Sequence, residues 1–273
     1  MRTNFQQRLQ QADLLFIPFI MAGDPSEQAT IELALALQEE GAHILELGIP
    51  YSDPLADGPV IQRSAARALK TQITLRKAMN IVPKMREKGL KIPVVVFTYY
   101  NPVLQLGEES FFALARENDI DGLLIPDLPF EESEQLRNRC LQEGIEYISL
   151  VAPNSNDRIR KIATSARGFL YCVSSLGVTG VRSTLSSNVT PFLEKVKEYS
   201  NVPVAVGFGI SNSEQIEILK DHCDGIIVGS AIITKIEQLN EQLTSETEIV
   251  RAQAILEFRQ FIRSLFSTST ARV

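Results

Sequence analysis

The sequence predicts an α/β fold, a single-domain (β/α)8 TIM barrel over residues 1–273 with extra N-terminal and C-terminal helices. Three observations carry that expectation. Eight short apolar runs recur along the chain, most of them followed by a polar stretch of helical character. The runs are nearly continuous in hydrophobicity, as parallel strands covered on both faces require. A length of 273 residues is ordinary for eight βα units closed around one core.

The runs are Phe16 to Met21, His43 to Leu47, Val94 to Thr98, Gly122 to Ile125, Tyr147 to Val151, Phe169 to Val173, Val204 to Gly207 and Gly225 to Val228. Most intervals have room for a crossover helix. Asp24-Pro25-Ser26-Glu27 reads as an N-cap, a proline at the first helical position and a glutamate in the first turn, ahead of Ile31, Leu33, Ala34 and Leu37. Ser211 and Glu214 stand at capping-box spacing before Ile216 and Leu219, which starts a helix just after Gly207-Phe208-Gly209. Glu248 to Phe266 reads as a closing helix, with Ile255, Phe258, Phe261, Ile262 and Leu265 near helical spacing. No repeat beyond the βα alternation and no Gly/Ser/Pro-rich linker marks a second domain. The doubly wound sheet is the rival fold, but a Gly-x-Gly-x-x-Gly turn after an early strand is missing.

Composition removes several function classes. With 33 acidic against 27 basic side chains and a net charge of -6, no Lys/Arg stripe is available to follow a phosphate backbone, so nucleic acid is not an expected partner. Met1 to Asp13 lacks the apolar core of a signal peptide, and no window offers the roughly 20 apolar residues that span a bilayer, so a cytosolic protein is expected. Cys140, Cys172 and Cys223 are widely spaced and form no Cys-x-x-Cys; they read as reduced and mostly buried. His43 and His222 are the only histidines, which disfavours histidine metal sites and serine or cysteine triads. Carboxylates are left to supply most acid–base chemistry.

Glu46 lies within Ile44-Leu45-Glu46-Leu47-Gly48-Ile49, the second expected strand. A buried carboxylate without a partner must take up a proton or cost several kcal/mol, roughly. The structural alternative is an ion pair with an inward-facing Lys or Arg, yet the strand runs contain neither. The strand leads into Pro50-Tyr51-Ser52-Asp53-Pro54-Leu55-Ala56-Asp57-Gly58-Pro59, a stiff loop on the catalytic face of a barrel. Asp57 is open to two readings, a catalytic carboxylate or a helix initiator ahead of Gly58-Pro59. Asp53 before Pro54 reads as a turn former. Gly177-Val178-Thr179-Gly180, Gly207-Phe208-Gly209 and Gly229-Ser230 each follow an expected strand. Late βα loops and a helix N-terminus are where barrels often hold phosphate, which points to a phosphorylated small-molecule substrate; a tight βα turn is the plainer alternative.

The run from Leu45 to Pro59 resembles the signature of the tryptophan synthase α subunit family. Further similar segments are Ala22-Gly23-Asp24-Pro25, Asn101-Pro102, Pro126-Asp127-Leu128-Pro129, Gly177-Val178-Thr179-Gly180, Gly207-Phe208-Gly209-Ile210 and Gly229-Ser230-Ala231, so the likeness covers nearly the whole barrel. Phe97 and Tyr100 differ from some family members, and Pro126 stands where alanine is often found. By this resemblance Glu46 and Asp57 correspond to the two catalytic carboxylates, and Tyr171 to a tyrosine that approaches the glutamate. It also implies that Phe19, Phe97, Tyr99, Leu124 and Phe208 line an indole pocket, with Thr179 also on the substrate. Gly180, Gly209, Gly229 and Ser230 match phosphate contacts. Ser175 to Val189 resembles a mobile lid.

The implied activity is the retro-aldol cleavage of indole-3-glycerol phosphate to indole and glyceraldehyde 3-phosphate. No metal or organic cofactor is implied; pyridoxal phosphate belongs to the family's β subunit. The implied assembly is an αββα heterotetramer, with loops around Asp53, Tyr99 to Leu106 and Pro126 to Glu132 facing the partner. Two alternatives stand beside it: a stand-alone lyase releasing free indole, and a catalytically silent barrel that activates a partner. Intact Glu46, Asp57, Tyr171 and glycine turns argue against the second.

Overall fold

The computed structural model describes residues 5–10, 12–173, 189–207 and 209–267. Its strands are β1 (Leu15–Met21), β2 (Leu45–Gly48), β3 (Val94–Phe97), β4 (Gly122–Leu124), β5 (Glu146–Tyr147), β6 (Ser149–Val151), β7 (Leu170–Val173), β8 (Val204–Gly207) and β9 (Gly225–Val228). All pairings are parallel, in the order β5-β4-β3-β2-β1-β9-β8-β7-β6. Since β5 and β6 flank Ile148 in sequence, the two ends of that order meet and the sheet wraps into a (β/α)8 barrel ringed by helices.

The extra strand is a correction to the sequence reading. The fifth apolar run is divided: Glu146 and Tyr147 pair with β4, Ile148 donates to the Leu123 carbonyl at 2.9 Å, and Ser149 to Val151 pair with β7. One chain segment thus changes neighbours partway along its length.

Alternation sorts each strand into two faces. Ile17, Ile44, Val95, Leu124, Ile148, Phe169, Tyr171, Ala205 and Ile227 fill the interior, while Ile20, Leu45, Leu47, Val94, Val96, Leu170 and Val206 pack under the helices. Phe5 and Leu9 of the short helix Phe5–Leu9 join the interior cluster beside Leu15 and Phe169. His43 lies just ahead of β2, not within it: its Nδ1 accepts from the Phe16 N–H at 3.0 Å, and its own N–H donates to the Phe16 carbonyl at 2.9 Å.

Two helix starts also differ from the expectation. The helix Glu27–Glu39 is capped by Ser26, whose Oγ accepts from the Ala29 N–H at 3.1 Å, so Pro25 precedes the helix. Asp24 is drawn elsewhere: it is 1% exposed, takes a bidentate grip from Arg67 (2.8 Å for each contact) and accepts from Ser64 Oγ. The helix Ser213–Leu219 is capped by Asn212, whose Oδ1 accepts from the Gln215 N–H at 2.9 Å, with Gln215 Oε1 reaching back to the Ser211 N–H at 2.8 Å. Asn212 thus takes the cap one residue after Ser211, and Gln215 ties down the residue before it. The closing helix runs over Glu248–Phe266, burying Ala254, Phe258, Ile262 and Leu265.

Candidate active site

The interior rows continue toward the carboxyl ends of the strands. Two residues beyond Ile17, Ile44, Val95, Phe169, Ala205 and Ile227 lie Phe19, Glu46, Phe97, Tyr171, Gly207 and Gly229. These six, with Asp57, Ile61, Gly209, Ile227 and Ser230, line a cavity of about 480 Å³ that includes the space open at its mouth. Strand register sets Phe19 beside Glu46, and Phe19 meets Phe97 edge to face, with centroids 5.5 Å apart at 81°. The wall is therefore aromatic where the two carboxyl groups enter.

Glu46 is fully buried, and neither carboxyl oxygen finds a hydrogen-bond partner among the described residues. The ion pair with an inward Lys or Arg is not there. Burial pushes its pKa to about 8, because an apolar site disfavours the charge and nothing offsets that cost. Asp57 is 6% exposed, and burial raises it to about 6, opposed by a hydrogen bond from the Tyr99 side chain. At neutral pH the two groups differ in state: Glu46 holds its proton and Asp57 is ionised. Tyr171, also buried, is pushed well up by its surroundings and by the nearby charges of Glu46 and Asp57.

Asp57 does not cap the following helix. Pro59–Leu69 begins behind an extended Gly58 with no side-chain cap and with Pro59 in its first turn. Asp57 is held instead through its backbone: its N–H donates to Pro54 O at 3.1 Å and its carbonyl accepts from Gln62 Nε2 at 2.8 Å. The side chain is free to face the cavity.

Gly209, Gly229 and Ser230 line the cavity as well. Gly209 adopts φ 71°, a left-handed conformation that side chains disfavour. Gly229 and Ser230 open the helix Ser230–Gln238, which carries no acidic residue in its first turn and no side-chain cap. Its leading N–H groups and the positive end of its dipole meet the cavity. Gly207 has a packing role: a Cβ there would stand 2.5 Å from the Tyr171 hydroxyl, so the ring requires a bare backbone.

Of the residues read from sequence, the structure gathers Glu46, Asp57, Phe19, Phe97, Tyr171, Gly209, Gly229 and Ser230 around one cavity. Tyr99 stands behind Asp57 and Leu124 within the barrel interior, neither lining the cavity. Thr179, Gly180, Phe208 and the lid segment up to residue 188 lie outside the described residues; Val189 opens the helix Val189–Tyr199. Ile61, Gly207 and Ile227 were not singled out as substrate contacts. Period-two spacing from Gly229 and Gly209 could have found Ile227 and Gly207, whereas nothing local marks Ile61. No group of three or more His, Cys, Asp or Glu side chains suited to a metal occurs among the described residues.

A parallel barrel that brings two carboxyl groups of raised and unequal pKa to an apolar cavity at the carboxyl ends of its strands is of the class that can carry out acid–base chemistry. The family model described as tryptophan synthase alpha chain matches residues 5–263. A tryptophan synthase alpha chain of Geobacillus sp. (strain WCH70) is 64% identical over 251 residues, covering 92% of this chain and 95% of that one. Among solved structures, a chain of the tryptophan synthase complex from Pyrococcus furiosus superposes with a TM-score of 0.80 at 35% identity, covering 92% of this chain and 97% of that one. A chain of Mycobacterium tuberculosis tryptophan synthase gives 0.81 at 29% identity, covering 96% and 99%. The chain belongs to the tryptophan synthase alpha chain family, carbon–carbon lyases of tryptophan biosynthesis that cleave indole-3-glycerol phosphate by a retro-aldol reaction.

Proposed function

We propose that Glu46 and Asp57 divide the chemistry of this cleavage between them, Glu46 moving protons and Asp57 holding charge. The observation that carries the reading is their opposite protonation in one cavity, with pKa values near 8 and 6. Protonated Glu46 delivers a proton to indole C3, which leaves positive charge on the ring nitrogen. Ionised Asp57 accepts a hydrogen bond from the indole N–H and stabilises that charge. The Glu46 carboxylate then removes the hydroxyl proton of the adjoining glycerol carbon. A carbonyl forms there, the bond to C3 breaks, and its electron pair returns to the ring. Indole and glyceraldehyde 3-phosphate result, and Glu46 has regained its proton.

Phe19 and Phe97, set edge to face, supply an apolar wall for the indole, with Tyr171 beside the carboxyl groups. Gly209, Gly229 and Ser230 take the phosphate, and their binding energy holds the reacting bond near Glu46. Thr179, Gly180 and Phe208 belong to the same reading through family resemblance. The chain works as the α subunit beside a β subunit; a Pyrococcus furiosus relative is described in an a2b2 complex. Exposed Leu55 lies on a loop expected to face that partner, and exposed Leu104 on the stretch from Tyr99 to Leu106, which was expected as a loop and forms the helix Tyr100–Leu106. No helix among the described residues is long and apolar enough to cross a membrane, and all three cysteines are free and buried. Together with the biosynthetic role, these features support a cytoplasmic enzyme.

Indole release from indole-3-glycerol phosphate by the unaltered chain, Glu46→Gln and Asp57→Asn tests the assignment. Both variants should lose turnover by about a hundredfold or more while circular dichroism is unchanged. Unimpaired turnover in either would overturn its role. Repeating the assay with a β subunit separates α-subunit behaviour, in which rate rises on assembly, from that of a stand-alone lyase.

A further inference from the structure

Tyr99 is the residue whose expected and observed places differ in a chemically informative way. It is 3% exposed and does not line the cavity, yet its hydroxyl reaches the loop that carries Asp57. That oxygen accepts from the Ala56 N–H at 2.9 Å, which directs its own proton to the Asp57 side chain. The ring is fixed from two directions. It packs on Tyr51 with centroids 5.2 Å apart, and Tyr51 accepts in turn from Asn101 Nδ2 at 3.2 Å. Its backbone is pinned where the helix Tyr100–Leu106 begins, by the Tyr100 N–H donating to Asp127 Oδ1 at 2.9 Å.

We propose that Tyr99 is a positioning residue for the cleavage reaction, its hydroxyl fixing the Asp57 carboxylate in orientation and ionisation without touching substrate. The inference rests on the assignment of Asp57 made above. A buried carboxylate on a loop has two independent ways to fail, by rotating out of line and by taking a proton. One O–H donor anchored by a second bond to the adjacent peptide opposes both. The titratable groups around the pair are Glu46 from β2, Tyr171 from β7 and Asp127 from the loop after β4. None is a cation, and among the described residues the Tyr99 hydrogen bond is the interaction that favours the ionised form of Asp57.

The test is Tyr99→Phe, which keeps the ring and removes the hydroxyl. Steady-state constants for indole-3-glycerol phosphate are measured between pH 5 and 9 (roughly the range over which carboxyl groups of raised pKa titrate), and the Asp57 side-chain carbon is titrated by NMR. In Tyr99→Phe, kcat should fall about tenfold with KM within about twofold of the unaltered enzyme. The acid limb and the NMR midpoint should both rise, from about 6 to about 7. In an Asp57→Asn background the same change should cost less than about twofold further, since the two residues act as one unit. An unmoved midpoint, or a raised KM with unchanged kcat, would overturn the proposal and make Tyr99 packing or lining. If Asp57→Asn itself turns over normally, the role of Asp57 falls and this proposal with it. An inactive Asp57→Asn beside an unmoved midpoint in Tyr99→Phe overturns the proposal alone.

Discussion

The two ends of the barrel interior are made from the same strands and solve opposite problems. Toward the amino-terminal end, Phe5 and Leu9 seal an interior of Leu15, Ile17, Ile44 and Phe169, and the half-buried imidazole of His43 accepts a backbone N–H. Apolar surface is covered there and that imidazole is satisfied. One step along the same strands, Glu46 is buried with no hydrogen-bond partner among the described residues, Asp57 is mostly buried, and both line a cavity. The difference teaches where this fold gains stability and where it gives some up: the interior at the amino end is filled by apolar side chains, and the carboxyl end keeps a cavity, lined by two carboxyl groups, that a ligand can fill.

The sharpest break in that comparison is Glu46→Gln. Turnover should drop by about a hundredfold or more, yet the protein should become more stable. The sign follows from linkage. Folded Glu46 keeps its proton to about pH 8 against an ordinary value of 4.5, so the native state binds more protons across that interval and stability falls as pH rises through it. The gain in Glu46→Gln should therefore be absent below pH 4.5, grow up to about 8 and level off at a few kcal/mol, roughly. Thermal melts at several pH values read it; a variant no more stable than its parent at pH 8 would contradict the uncompensated burial.

The opposite response belongs to the amino end. Phe169→Ala removes a fully buried ring and should cost about 3–5 kcal/mol in denaturant unfolding. The protein that remains folded should keep its kcat. Loss of kcat in proportion to stability would show that the two ends are not separable.

Gly209→Val asks for a left-handed backbone from a β-branched residue beside the expected phosphate position. Affinity for glycerol 3-phosphate should weaken by about tenfold or more, one charge-assisted hydrogen bond's worth, while indole affinity changes little. Equal loss of both ligands, by calorimetry, would point to misfolding instead. The mildest expectation is the pH profile: kcat/KM should rise as Asp57 ionises near 6 and fall as Glu46 loses its proton near 8. A profile flat from pH 5 to 9 (roughly the window spanned by these two groups) would remove the division of labour.

Much of this was legible in the sequence because the signal was local. A glutamate in an otherwise apolar strand announced itself, and so did the strands, as runs too apolar to have a wet face. The failures share a cause. Asp24 looked like a cap until Arg67, distant in sequence, claimed its carboxylate and left Ser26 to cap the helix. The fifth strand looked continuous because a change of neighbours at Ile148 leaves no mark on hydrophobicity. Tyr99 read as a pocket wall, since only the path of the Ala56–Asp57 loop shows its hydroxyl turned to that loop. Long-range partnership decided each one.

That change of neighbours bears on the mechanics of the ring. The segment around Ile148 is bonded to β4 over its first half and to β7 over its second, so no stretch of it is clamped on both sides at once. Elsewhere on the circumference β2 and β8 carry ladders on both flanks of the same residues, whereas β1 divides as the Ile148 segment does, with Leu15 to Pro18 on β9 and Phe19 to Met21 on β2. The barrel therefore has two seams, and compliance concentrates at a seam. When ligand or partner strains the rim, the circumference gives first at these seams, and backbone amides on either side of Ile148 should exchange with solvent deuterium ahead of those in β8.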